Sequence, residues 1–302
     1  MTRFFPFLVL LAILAAPGFV FGFNLVVDPY AVFHGLPELA RFEPNLRIAK
    51  TDYYARNCGK YDGFIFGSSR SEVLDPDWLE AQDGYRVYNL SAPLGTVTEL
   101  NLLFERFQHC PIRIVYYGVD FDLIRLGTYV DPLRRLPDKD GWWNREGLRT
   151  LKYYLTDETI TLASWSAFTS GEPNAFLYDR KKGTTKYLWQ RRQKFIGCRT
   201  PTASRFTSLA SYHLRSLIRT MQRQGIQVGL IFNPVWNDKR LRKHYVIMRE
   251  KEKLIEAADV VYDMDNDFSV PQQWHDCSHF STDILPRFRR ILVHGPLYNR
   301  AQ

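Results

Sequence analysis

Cysteine is scarce and never paired in this chain: Cys58, Cys110, Cys198 and Cys277 stand singly among 302 residues. No spacing between them resembles a zinc site, so a structural metal is not expected. An internal repeat and a low-complexity run are also missing, which excludes a solenoid or a linker-like chain. The 40 Lys and Arg outnumber the 32 Asp and Glu for a formal charge of +8, but they are scattered instead of gathered on one element. That distribution argues against nucleic acid as a partner. Charge is absent altogether from "FFPFLVLLAILAAPGFVFG", Phe4 to Gly22, which Arg3 precedes and Asp28 follows. Such a run reads as an uncleaved N-in membrane anchor. A cleaved signal peptide is the competing reading, though the small-residue candidate "LAA" is followed by Pro17, which disfavours cleavage there. A buried core helix is the third. Under either of the first two readings the bulk of the chain lies outside the cytoplasm.

With 45% hydrophobic residues and seven tryptophans the chain can bury a sizeable core. Short apolar runs recur at "GFIFG", "YRVYNL", "IRIVYYGVD", "IQVGLIFNP" and "DVVYDM", each of strand length and rich in Val, Ile, Tyr or Phe. Helical patterns separate them. Thr96 and Glu99 have capping-box spacing before a stripe of Val97, Leu100, Phe104 and Phe107, and a second stripe from Phe206 to Met221 stops at Gly225. The charged "DKRLRKHYVIMREKEKLIEAA" reads as an amphipathic helix covering the sheet. Strands alternating with helices predict a parallel α/β sheet with right-handed crossovers. The expected organisation is an anchor or signal over 1–23, a collar with a polar stretch over 24–60, and an α/β domain over 61–302. Inside that domain about 126–198 reads as a partly helical insertion without a clear strand, placed over the carboxyl ends of the strands.

Those strand ends are where an open parallel sheet collects reactive groups. After "FIF" come Gly67, Ser68 and Ser69, which places Ser69 on a turn with its hydroxyl toward the crevice; Ser68 and Ser71 compete with it. Far along the chain, "WHDCSHFS" offers Asp276 and His279 at a spacing that lets a carboxylate hold one ring nitrogen while the other takes a proton. The alternatives are a structural hydrogen bond, or a metal held by His275, Asp276 and His279. In an oxidising compartment four cysteines permit two disulfides. If the strands after Cys58 and before which Cys110 stands are parallel neighbours, Cys58 pairs with Cys110 and Cys198 with Cys277; four free buried thiols are the other reading.

The order Gly67-Ser68-Ser69, then "NLSAPLG", "YGVD" and Asp276-Cys277-Ser278-His279 resembles the SGNH (GDSL-type) hydrolase superfamily, over nearly all of the chain beyond the anchor. The resemblance implies a flavodoxin-like three-layer α/β sandwich with a parallel five-stranded sheet. It also implies Ser69 as nucleophile, His279 as general base and Asp276 as its orienter, with no cofactor. Oxyanion contacts would come from the N–H groups of Ser69 and Gly95, with Ser68 beside them, and from a side chain after the third strand. At that last position the family has asparagine and this chain has Asp120, which as a carboxylate cannot donate.

Within the superfamily the Gly-Ser-Ser block, the collar "VVDPYAVF" and the N-terminal apolar run resemble membrane-anchored proteins of teichoic acid D-alanylation and exopolysaccharide O-acetylation. That likeness implies an acyl-ester hydrolase or O-acyltransferase acting on an envelope or exported polysaccharide. The implied partner is a membrane-bound O-acyltransferase or another acyl donor system, since one candidate span does not carry a donor across. Tryptophans of the insertion, Trp142, Trp143, Trp165 and Trp189, would offer faces to sugar rings or pack the core. The second reading is a catalytically inactive, membrane-tethered polysaccharide-binding or assembly protein on the same fold.

Overall fold

A computed structural model describes residues 5–28, 46–120, 176–187, 208–234, 245–264, 279, 284–293 and 298–299, with nine further residues between 151 and 169. The chain divides into two compact units, one of 1–49 with 130–175 and one of 50–129 with 176–302.

The larger unit is built on a sheet whose strands are β1 (Gly63–Phe66), β2 (Val87–Asn89), β3 (Ile114–Val119), β6 (Gln227–Phe232), β7 (Val260–Asp263) and β8 (Tyr298–Asn299). Its order is β2-β1-β3-β6-β7-β8; the first five are parallel and β8 pairs antiparallel with β7. The five parallel strands are the five apolar runs of the sequence, and their 2-1-3-4-5 order is that of flavodoxin-like sheets. The two-residue β8 was not anticipated, because nothing in so short a segment distinguishes a strand.

Helices cover both faces. On one, α3 (Pro76–Asp83) and α7 (Leu285–Val293) bury Leu79, Phe288 and Leu292 against Ile65, Ile231 and Val260. On this face Tyr116 and Tyr262 both donate their hydroxyls to the Asp83 carboxylate at the end of α3. On the other face lie α2 (Leu46–Asn57), α4 (Val97–Arg106), α5 (Ser208–Arg223) and α6 (Tyr245–Ala257). Here Tyr54 and Phe107 meet Phe64 edge-on, and the Lys251 ammonium of α6 sits 5.0 Å from the centre of the Phe232 ring. The Thr96–Glu99 box caps α4 with both reciprocal bonds present. The stripe of α5 buries Ala210, Leu214, Leu217, Ile218 and Met221 before the chain turns at Gly225, φ 78°.

Two local readings of the sequence are corrected. The polar stretch before Lys60 is largely the helix α2; its buried face carries Lys50, Thr51 and Tyr54, so no apolar stripe announces it. Within the span taken as strandless, β4 (Phe176–Asp179) and β5 (Thr184–Tyr187) form an antiparallel hairpin closed at Gly183, φ 72°. The hairpin belongs to the α/β unit: Lys182 O accepts from Asn89 N–H at 2.9 Å, and Tyr88 and Tyr178 join hydroxyls at 3.0 Å. Strands of four residues beside a cationic turn are too short to show their period.

A disulfide joins Cys58 to Cys110, each just before one of the parallel neighbours β1 and β3. Cys198 and Cys277 lie outside the described residues. The bond closes a loop with a sequence separation of 52. Chain-entropy arguments give a cross-link of that length roughly 4 kcal/mol. The double variant Cys58→Ser/Cys110→Ser is therefore expected to unfold at clearly lower denaturant, by about 2–4 kcal/mol, and a midpoint unchanged from the parent would contradict it.

Alkali should unfold this unit cooperatively. Burial, and then nearby carboxylates, raise the hydroxyl pKa of Tyr116 and Tyr262 (Asp83) and of Tyr117 (Asp120, then Glu99). Burial, then Tyr178, does the same for Tyr88. A pKa higher in the folded than in the unfolded chain contributes stability that is complete below the unfolded value, about 10, and is lost as pH rises through the folded values. Tyrosinate absorbance should therefore appear in one step with loss of circular dichroism above about pH 10. A gradual titration with the fold intact would show that these hydroxyls are open to water.

In the smaller unit, α1 (Phe5–Val27) runs 23 residues, past the expected end of the apolar run, and the described residues from 151 to 169 are helical. The side chains of 5–14 fall outside the described ones. Among the described residues no helix is long and apolar enough to cross a membrane.

Candidate functional site

The parallel order puts a topological switch point at the carboxyl ends of β1 and β3, since the chain leaves β1 toward β2 and returns across it to β3. Three segments leave the sheet there: Gly67 to Leu74 after β1, Asp120 after β3, and Asn233 after β6.

Of the three serines after β1, the structure separates one. Ser71 is fully buried, its hydroxyl accepting from Asn233 Nδ2 at 2.8 Å. A Cβ on Gly118 would fall 1.8 Å from that hydroxyl, and one on Gly67 2.4 Å, so both glycines are required by close approach. Ser68 is buried too, its hydroxyl accepting from the Arg70 N–H at 3.2 Å. Ser69 is half-buried, and its Oγ lies 3.0 Å from His279 Nε2. With the ring proton on Nδ1, Nε2 accepts from the Ser69 hydroxyl, the geometry of a nucleophile and its general base. Residues 210 positions apart thus meet just beyond the carboxyl end of β1.

The turn that presents Ser69 is held from several sides. Asn89 Nδ2 donates to the carbonyls of Ser71 (2.8 Å) and Leu74 (2.9 Å). The Glu72 carbonyl accepts from Thr185 N–H of the hairpin at 2.9 Å. The Glu72 carboxylate pairs with Lys50 at 3.5 Å, both side chains without exposed surface, and Lys50 Nζ also donates to the Ser91 carbonyl at 2.5 Å. Such satisfied buried networks keep a reacting group in place without reorganisation.

Asp120 is engaged within the fold. Its Oδ1 lies 3.5 Å from Arg70 Nη1, with side chains only 1% and 5% exposed for Arg70 and Asp120, and it accepts from Asn233 Nδ2 at 2.9 Å. Next to a guanidinium and an amide donor the carboxylate serves as a buried counter-ion. The Gly95 N–H is engaged as well. It bonds the Ala92 carbonyl at 3.0 Å, closing a turn with Pro93 and Leu94 in which Leu94 has φ 58°. Gly95 instead lets two loops touch, since a Cβ there would lie 2.2 Å from the Gly67 carbonyl oxygen. The N–H of Ser69 has no hydrogen-bond partner among the described residues.

Asp276, His275, Trp142, Trp143 and Trp189 lie outside the described residues. Trp165 belongs to the smaller unit and is exposed. Among the described residues one group of potential metal ligands occurs, Cys58, His109 and Cys110, and its two sulfurs are bonded to each other. Sequence reasoning missed Arg70, Asn89, Asn233 and the Lys50–Glu72 pair. A signal existed for Asn233, the polar residue ending "LIFNP" at the carboxyl end of a strand. This chain matches no family model, no curated protein and no solved structure.

Proposed function

We propose that this protein is a serine-dependent acyl-ester hydrolase or O-acyltransferase of SGNH type, acting outside the cytoplasm on a cell-envelope or exported polysaccharide. The observation that carries the reading is the 3.0 Å contact between Ser69 Oγ and His279 Nε2 at the switch point, with Ser68 and Ser71 turned into the fold. Ser69 attacks the acyl carbonyl while His279 takes its proton. The alcohol leaves as His279 returns that proton, and water or a sugar hydroxyl then resolves the acyl-enzyme by the same relay. Asp276 is assigned to the far ring nitrogen on the resemblance alone.

The uncharged sequence run from Phe4 to Gly22, most of whose side chains fall outside the described ones, supports a membrane anchor, and the Cys58–Cys110 bond supports an oxidising compartment. A membrane-bound O-acyltransferase delivering the acyl group is the partner that fits a chain with one such run.

A second reading, a tethered polysaccharide-binding or assembly protein, is favoured by the oxyanion side. Gly95 N–H and Asp120 are both engaged elsewhere, leaving Ser69 N–H of the three implied donors. Labelling by a serine-directed phosphonate decides between them. Stoichiometric label on Ser69 with release of acyl groups from an acetylated polysaccharide supports the enzyme; no label and retained polysaccharide binding supports the tether.

A further inference from the structure

Among the described residues of the smaller unit, polar side chains are buried and large apolar ones exposed. Asn24, with no exposed surface, donates through Nδ2 to the Tyr154 carbonyl at 2.8 Å and to Thr161 Oγ1 at 3.1 Å. Tyr154, equally buried, donates its hydroxyl to Asp28 Oδ1 at 2.8 Å, and Ser164 is also fully enclosed. Large apolar residues face outward: Phe19 is 76% exposed, Val26 79%, Leu162 67%, Trp165 60% and Leu155 42%. Along α1, Phe19 and Val26 lie close to the side opposite Asn24 at roughly 100° per residue, and Asp28 follows the last helical residue. Each inward residue of the second segment is followed by an outward one, as Tyr154 by Leu155, Thr161 by Leu162 and Ser164 by Trp165.

Water selects the opposite arrangement, with polar groups out and large apolar side chains in. Helices packed in hydrocarbon turn polar groups toward each other and apolar ones toward acyl chains. We propose that the helical residues between 151 and 169 dock on the carboxyl-terminal part of α1 and lie in the interfacial layer of the lipid bilayer, with Leu155, Leu162 and Trp165 against the acyl chains. The proposal rests on the anchor reading of α1. Lipid is the occupant because α1 too exposes large apolar side chains, Phe19 and Val26, and its sequence has no charge from Phe4 to Gly22. The depth is interfacial: Lys152 is exposed, and an outward tryptophan suits the headgroup boundary.

The test uses the full chain reconstituted in phosphatidylcholine vesicles with ordinary or brominated acyl chains. Bromolipid should quench the tryptophan emission, and a distinct part of that quenching should disappear in Trp165→Phe, an exposed substitution that leaves the fold intact. In Leu155→Glu/Leu162→Glu the same part should be lost while the chain still resists alkaline carbonate. Equal quenching of wild type and Trp165→Phe in carbonate-resistant chains would overturn the proposal and leave the anchor standing. Release of the wild-type chain by carbonate would overturn the anchor, and the proposal with it.

Discussion

Ser69→Ala is expected to lower turnover of an acyl ester by about 10⁴-fold or more, and to abolish phosphonate labelling, with the unfolding midpoint unchanged. The size follows from what is removed: the attacking oxygen itself, whose proton goes to His279 Nε2 3.0 Å away. What remains is the Ser69 N–H and substrate binding, which account for the residual rate of such variants. The neighbouring serines are controls with different signatures. Ser71→Ala takes an acceptor from Asn233 Nδ2 in a fully buried place, so it should cost about 1–3 kcal/mol of stability without moving the label. Ser68→Ala should do less, because its hydroxyl accepts a single peptide N–H at 3.2 Å. Label surviving in Ser69→Ala would transfer the nucleophile to another residue and end the assignment made here.

Asp120→Ala is expected to destabilise the α/β unit by about 3–5 kcal/mol, the usual consequence of removing one member of a buried ion pair. Arg70 would be left with its guanidinium inside the protein, and the Asn233 amide would lose an acceptor. Asp120→Asn keeps a carbonyl for Asn233 but not the charge, so its loss should be smaller and still measurable in urea. The pair sits directly behind the nucleophile, with Arg70 following Ser69 in the chain. Turnover of the folded fraction should therefore fall as well, by the loosening of Ser69. Unchanged stability with raised turnover in Asp120→Asn would mean instead that residue 120 reaches the oxyanion, with the carboxylate merely tolerated there.

Much of the fold is legible in the sequence. The five parallel strands announce themselves because a strand buried on both faces must be a continuous apolar run, and "IRIVYYGVD" and "IQVGLIFNP" are such runs. The α4 cap was equally plain, since Thr96 and Glu99 satisfy each other's backbone locally. Elements whose burial depends on partners far along the chain were not. The α2 helix buries Lys50, which is tolerable only where Glu72 and the Ser91 carbonyl meet it. The β4–β5 hairpin is held by Asn89 and Tyr88 of a strand about 90 residues earlier.

At the site the division is the same. A hydroxyl on the turn after the first strand and an imidazole near the end of the chain could be nominated from residue type and position, because strand ends in parallel sheets collect reactive groups. Choosing Ser69 over Ser68 and Ser71, giving Asp120 to Arg70, and closing Gly95 onto Ala92 all required distances. Local pattern carries periodicity, capping and hydrophobic run length, each set by neighbours within a few residues. Which buried charge finds its counter-ion, and which hydroxyl faces the base, depend on atoms brought within about 3 Å by the folding of distant segments, and that proximity has no local signature.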